Sequence, residues 1–385
     1  MKRIALPLLA LVALACSPSP EQRAKELVSQ MTIEQKTMLM AHESSPIDEL
    51  GIPAYNWWNE ALHGVARNGK ATVFPMPIAM AASFDSELVG EVFTAVSDEG
   101  RIKNRQALAR GEAGWYQGVT FWTPNINLFR DPRWGRGMET YGEDPYLTGQ
   151  LGMAVVRGLQ GPADARVQKA HACAKHFAVH SGPEWSRHTY DARVSERDLR
   201  ETYLPAFKDL VTKAGVREVM IAYNRFRGDP CGANDYLVNK ILRGEWGYQG
   251  LVVSDCWAVN DFYRPGAHEY SPDAAHAVAK AIHTGTDLEC GDSYVHIPEA
   301  VAEGLLSEAD VDRSLVRLLA ARIRLGEMDV RRPGTPDGVF PGSENAFLRL
   351  FAVSVYDAAY HIVSFPFRTF PPCPRTGPAG KWGRI

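Results

Sequence analysis

Between residues 71 and 325 the hydrophobic period switches again and again, from short apolar runs to stretches with helical spacing and back. Apolar runs at 71–82, 118–125, 170–177, 218–223, 250–255 and 286–288 alternate with helical patterns at 86–109, 145–159, 195–213, 234–244, 271–284, 297–305 and 307–325. Parallel strands need crossover helices between them, so seven or eight such units predict an α/β fold, a (β/α)8 TIM-type barrel. A doubly wound sheet with as many crossovers normally carries a nucleotide fingerprint. Neither G-x-G-x-x-G nor a P-loop occurs, so the barrel is the better expectation and no cofactor is implied. Residues 21–40 read as a helical lead-in.

The chemistry gathers at the ends of the apolar runs. The run from Gly250 to Ser254 stops at a carboxylate, Asp255, followed by Cys256 and Trp257. Loops at the C-terminal ends of barrel strands converge on one pocket, which makes Asp255 a candidate catalytic group. Taken alone, it reads equally well as the cap of a following helix. Glu60 and His63 stand in the crowded aromatic and polar segment 55–64, Lys175 and His176 near the end of the run 170–177, and Tyr223 and Asn224 at the end of 218–223. A basic and aromatic loop runs from Arg130 to Glu139 and includes Arg136. Carboxylates accepting from hydroxyl pairs, Lys and Arg donating to them, and Trp faces covering an apolar sugar face suit a polyhydroxylated ligand.

Several of these residues carry plainer readings. Arg133 and Glu139 can form a structural ion pair, His63 can brace a loop, and Trp57 and Trp58 cannot both face one pocket from a strand. His171, His176 and His180 have no metal-like spacing or evident carboxylate partner, so no metal is expected.

Met1-Lys2-Arg3 and the apolar run 4–15 form a secretory leader, too short to span a bilayer. Its end, Ala13-Leu14-Ala15-Cys16, fits cleavage or lipidation of Cys16, which implies an exported protein, periplasmic or attached to the outer membrane of a bacterium. Beyond Cys16 there are five cysteines with no C-x-x-C pairing. A Cys256–Cys290 bridge between neighbouring strand ends is allowed but not required. The formal charge of −3, with no basic run, argues against a nucleic-acid partner, and the oligomeric state is not legible.

Five ordered segments then match a known pattern: 58–64 (WNEALHG), 131–136 (DPRWGR), 142–145 (GEDP), 175–177 (KHF) and 253–255 (VSD). Over 21–325 the chain resembles the N-terminal barrel of glycoside hydrolase family 3. The resemblance implies a retaining, exo-acting β-glycosidase acting on oligosaccharides, with Asp255 as nucleophile and Glu60, Arg136, Lys175, His176 and Tyr223 binding the terminal sugar. In that family the acid/base typically lies on a C-terminal α/β sandwich domain, and the resemblance over 21–325 leads to the expectation that this sequence stops short of it. Glu112, Glu139, Glu143, Glu184 and Glu289 do not match its motif, so the acid/base stays unassigned. The irregular stretch 326–385 does not resemble the family's linker and reads as a truncated or frame-altered end.

Glucosidase-like members commonly carry Asp where this chain has Glu60. The extra methylene intrudes on the space of a glucose hydroxymethyl, so xylose is expected to fit first and glucose second. The competing reading is a carbohydrate-binding surface lipoprotein that has lost hydrolysis; a transglycosylase is also consistent.

Overall fold

The computed structural model describes residues 18–180 and 184–328. The leader with Cys16, and the tail from 329 onward, lie outside these residues.

The chain enters through helices α1 (Pro20–Val28) and α2 (Ile33–Leu39), each opened by a capping box, at Ser19/Gln22 and Thr32/Gln35. Strand β1 (Glu43–Ser44) pairs antiparallel with β2 (Tyr55–Asn56). Helices α3 (Pro77–Ala81) and α4 (Ser86–Ala109) follow, then β3 (Thr120–Phe121), α5 (Pro145–Gln160) and β4 (His171–Phe177). A small outer sheet is made by β5 (Asp191–Ala192), β7 (Arg225–Phe226) and β8 (Asp229–Pro230). Helices α6 (Glu196–Asp198) and α7 (Pro205–Thr212) precede β6 (Glu218–Ile221), and β9 (Leu251–Ser254) leads to α8 (Ala274–Thr284), α9 (Ile297–Ala302) and α10 (Glu308–Arg324).

Strands β3, β4, β6 and β9 form a parallel sheet in that order. Single bridges carry the wall onward: Asn59 beside Phe121, Leu288 beside Val253, and Ala41 beside Glu289, all parallel. The antiparallel β1–β2 pair closes the ring, helped by Trp57 N–H donating to the His42 carbonyl at 2.8 Å. The architecture is a TIM-type barrel. Seven wall positions are present among the described residues, with one antiparallel seam.

Three expected elements differ. The helix expected at 234–244 is π-helical, Tyr236–Glu245. The apolar run 71–82 is loop and then α3, because Pro75 and Pro77 offer no N–H to a ladder, and Pro77 instead opens the helix at its first turn. The expected helix 195–213 is split by a π-helical turn, Leu199–Tyr203, and restarts at Pro205. Proline cannot donate to the preceding turn, so an unbroken α ladder is closed to this sequence.

All residues of β4, β6 and β9 are buried, as expected for parallel strands covered on both sides. Register places Lys175, Met220 and Val253 side by side, with Cys173, Glu218 and Leu251 one layer below. Alternate residues such as Ala174, Val219 and Val252 join the core under α4, α5 and α7 with Phe93, Phe177 and Phe207. This period of two separates a barrel interior that carries chemistry from an outer face that carries packing. Helix ends are fixed locally: Asp144 accepts from Leu147 N–H ahead of α5, and Gly285 terminates α8 in a left-handed conformation at φ 99°.

Candidate active site

Asp255 is the first residue beyond β9, and its side chain lies over the C-terminal mouth of the barrel. The mouth holds a cavity of about 420 Å³ whose lining includes Glu60, Arg136, Lys175, His176, Tyr223 and Asp255. All six residues expected to bind or attack a sugar therefore share one pocket.

Different devices deliver them. Glu60 follows the bridge at Asn59. Lys175 and His176 are consecutive and would face opposite ways on a regular strand, but the register against β6 shifts between Lys175 and Phe177, and both line the pocket. Arg136 sits at the start of a 3-10 turn, Gly137–Glu139. A Cβ on Gly137 would stand 2.3 Å from the Phe129 ring, so only glycine lets that turn close. Trp134 is buried beside Phe129 and His180 and gives the basic loop its own small core.

The Arg136 guanidinium is held by Glu139 through two bonds, Nε to Oε1 at 2.8 Å and a terminal nitrogen to Oε2 at 2.7 Å. Arg133, the other candidate partner of Glu139, turns outward and pairs with Asp131. Lys175 Nζ reaches Glu60 Oε2 at 3.2 Å. Asp255 Oδ1 accepts from Cys256 N–H at 2.8 Å, while Oδ2 is buried with no hydrogen-bond partner. Tyr223 donates its hydroxyl to the Cys256 carbonyl at 2.7 Å, tying the β6 and β9 ends together.

Burial pushes the Asp255 carboxyl above its ordinary value, opposed by the nearby charges of Arg136 and Lys175. Glu60 is likewise raised by burial and drawn back by Lys175 and Arg136. His176 is held well below the usual imidazole value, first by burial and then by Arg136, His180 and Lys175, so it is neutral. A charged anchor for hydroxyls thus lies beside a carboxylate oxygen with a free lone pair. That arrangement suits nucleophilic attack on a polyhydroxylated electrophile.

A model of the glycosyl hydrolase family 3 N-terminal domain matches residues 22–321. The chain belongs to glycosyl hydrolase family 3. It is 54% identical over 316 residues to a xylan 1,4-beta-xylosidase of Xylanibacter ruminicola, covering 81% of this chain and 36% of that protein. It is 42% identical over 328 residues to probable beta-D-xylosidase 7 of Arabidopsis thaliana, covering 79% and 41%. A family exo-beta-xylosidase solved with a xylobiose aziridine activity-based probe superposes with a TM-score of 0.79 at 34% identity, over 89% of this chain and 44% of that one. A β-glucosidase from Erythrobacter marinus gives 0.70 at 29% identity, over 82% and 46%. The chain thus spans less than half the length of each of these relatives.

His63, Trp57 and His171 fall outside the pocket. His63 holds the Phe74 carbonyl at 2.9 Å and is a loop brace. Trp57 is fully buried with Nε1 on Ser44, while its neighbour Trp58 lines the cavity. His171 lies in the barrel interior against Glu218 at 3.1 Å, and the described residues hold no cluster of metal-binding type. Cys256 and Cys290 are joined in a disulfide, so the loop after β9 is tied to the neighbouring strand end.

Arg187, His188, Trp122, Trp257 and Arg264 also line the cavity, and sequence reasoning did not single them out. Arg187 stacks on the Tyr223 ring at 4.8 Å, and His188 meets Tyr223 edge-on while bonding Asp261 at 2.6 Å. Trp122 belongs to the apolar run 118–125, but the other four come from segments without apolar periodicity. The adjacency of Trp257 to Asp255 was the one usable signal.

Proposed function

We propose that this barrel is the nucleophile-bearing part of an exo-acting retaining β-glycosidase that takes terminal non-reducing β-D-xylosyl units first and β-D-glucosyl units second. Asp255 Oδ2 attacks the anomeric carbon, and the bond to the leaving oxygen breaks as that oxygen takes a proton. Water then attacks the same carbon and releases the carboxylate. Glu60, Lys175, Arg136, His176 and Tyr223 hold the sugar hydroxyls. The observation that carries the reading is the buried, unpartnered Oδ2 of Asp255 beside the Glu60–Lys175 pair. The names of the relatives, all hydrolases, favour this over a binding protein without hydrolysis.

Glu60 and Asp255 are the carboxylates lining the cavity among the described residues. Glu112 is engaged by Arg110, Glu139 by Arg136 and Glu184 by Arg187; Glu143 is exposed, and Glu289 accepts from Ser293 and Tyr294 N–H groups. Among the described residues, none of these is placed to protonate the leaving oxygen. On this reading the described barrel forms a glycosyl-enzyme readily from a substrate whose leaving group needs no proton, and slowly from one that does. Rapid release of dinitrophenolate from a dinitrophenyl xyloside, with slow hydrolysis of xylobiose, is the expected pattern; fast xylobiose turnover abolished by Asp255→Asn would refute it.

Export is a further part of the proposal. The leader pattern at 1–15 and the Cys256–Cys290 bridge both suit an oxidising compartment. Radiolabelled fatty acid on wild-type chain but not on Cys16→Ala would establish the lipid anchor, and an unlabelled, freely soluble chain would exclude it.

A further inference from the structure

Asn127 does not line the cavity, yet it makes three bonds to one residue that does. Its Oδ1 accepts from the His176 backbone N–H at 2.8 Å, its Nδ2 donates to the His176 carbonyl at 2.8 Å, and Oδ1 also lies 2.9 Å from His176 Nδ1. The two backbone bonds fix which way the amide points, since a flipped amide would set N–H against N–H and carbonyl against carbonyl. An acceptor therefore faces Nδ1, so Nδ1 carries the proton. Neutral His176 then presents a bare lone pair at Nε2, where it accepts from Arg136 at 3.1 Å. The same nitrogen is 3.5 Å from Asp255 Oδ2.

We propose that Asn127 is a positioning residue that fixes the His176 tautomer, and so keeps a proton donor away from the Asp255 oxygen that attacks the sugar. In the other tautomer, or in the imidazolium, an Nε2–H would donate to Oδ2 and occupy the lone pair needed for attack. It would also oppose the Arg136 N–H and push that guanidinium off its place. The groups facing His176 are Arg136, Lys175, His180 and Arg187 on the cationic or imidazole side and Asp255 on the anionic side. Three cations around a buried imidazole already disfavour its protonation, and Asn127 decides where the single proton sits. The inference rests on Asp255 being the nucleophile, but its tautomer statement does not.

Two measurements separate these. Nitrogen-15 NMR of histidine-labelled wild-type chain should show His176 with a protonated Nδ1 and an unprotonated Nε2 between pH 5 and 8; the opposite tautomer overturns the inference whatever the labelling shows. The second is the rate at which 2,4-dinitrophenyl 2-deoxy-2-fluoro-β-D-xyloside inactivates the chain. Asp255 attacks C1 and dinitrophenolate leaves with the bonding pair, so no acid is needed. Asn127→Asp places a carboxylate against Nδ1 and stabilises the imidazolium. Its rate should fall at least tenfold from pH 8 to pH 5 relative to wild type, while Asn127→Ala loses rate about equally across the range. A parallel pH profile in Asn127→Asp and wild type, with both folded by circular dichroism, overturns the inference. A wild-type chain that shows the expected tautomer but is never inactivated refutes the nucleophile and, with it, the role given to Asn127.

Discussion

Lys175 and Glu60 meet at 3.2 Å across the barrel mouth although 115 residues separate them in the chain. The ammonium is nearly enclosed, with a side chain 3% exposed, and the carboxylate is 26% exposed. Under the proposed function, a sugar hydroxyl pair entering between them would gain charge-assisted bonds to both groups.

Removing the cation should expose that dependence. Lys175→Met leaves Glu60 without its main counter-ion, so its already raised carboxyl rises further. We expect xylose-type ligands to bind about thirtyfold more weakly, about 2 kcal/mol, as for loss of a bond to a charged group. Isothermal titration with a xylose-configured iminosugar reads this directly; unchanged affinity would remove Lys175 from the sugar site.

Glu60→Asp shortens the acid by one methylene at the place where a glucose hydroxymethyl is expected to lie. The ratio of glucoside to xyloside kcat/KM on nitrophenyl substrates should rise roughly tenfold, within the 1–3 kcal/mol that one such group is worth. A fall in both values with an unchanged ratio would sink the steric account of preference.

A second buried carboxyl reports on stability. Burial pushes Glu218, in the layer below Lys175, up to about 8, while the His171 imidazole against it is pushed down to about 3 by burial and the nearby arginines. A raised carboxyl contributes stability that is complete below its ordinary 4.5 and is lost as pH rises through about 8. The lowered imidazole acts on the acid side, below 6.5, and leaves the alkaline window clear. Glu218→Gln keeps a neutral group of the same shape and cannot ionise. Its Tm should therefore fall less than that of wild type between pH 6 and pH 9; parallel curves would show that Glu218 ionises in the folded chain as it does unfolded.

The Cys256–Cys290 bridge closes a separation of 34 residues, for which chain entropy predicts about 4 kcal/mol of stabilisation. It also anchors Cys256, whose N–H bonds Asp255 and whose carbonyl receives Tyr223. Urea unfolding of the Cys256→Ser, Cys290→Ser double variant should show a loss of about 2 to 4 kcal/mol. A midpoint equal to that of wild type would show that the bridge does not constrain the unfolded chain.

Much of this was legible beforehand. Helix 86–109 and strand 170–177 stand nearly where their periods put them, because each is long or apolar enough for the period to show. The first wall positions were not, since two-residue strands and single bridges leave no period to count. The shared pocket of Asp255, Glu60 and Lys175 follows from strand ends converging on one mouth. Arg187 and His188 were hidden because an irregular loop gives no rule for the direction of a side chain. Asn127 was hidden for another reason: its role lies in the fixed direction of an amide, which only the contacts to His176 reveal.

The central claim is that Asp255 forms the bond to the sugar. Incubation with 2,4-dinitrophenyl 2-deoxy-2-fluoro-β-D-xyloside, followed by proteolysis and tandem mass spectrometry, tests it most directly. The account predicts one fluoroxylosyl adduct per chain, on Asp255, absent from Asp255→Asn. An adduct on Glu60 or elsewhere, or an unmodified chain under conditions where a xylose-type ligand binds, would contradict it.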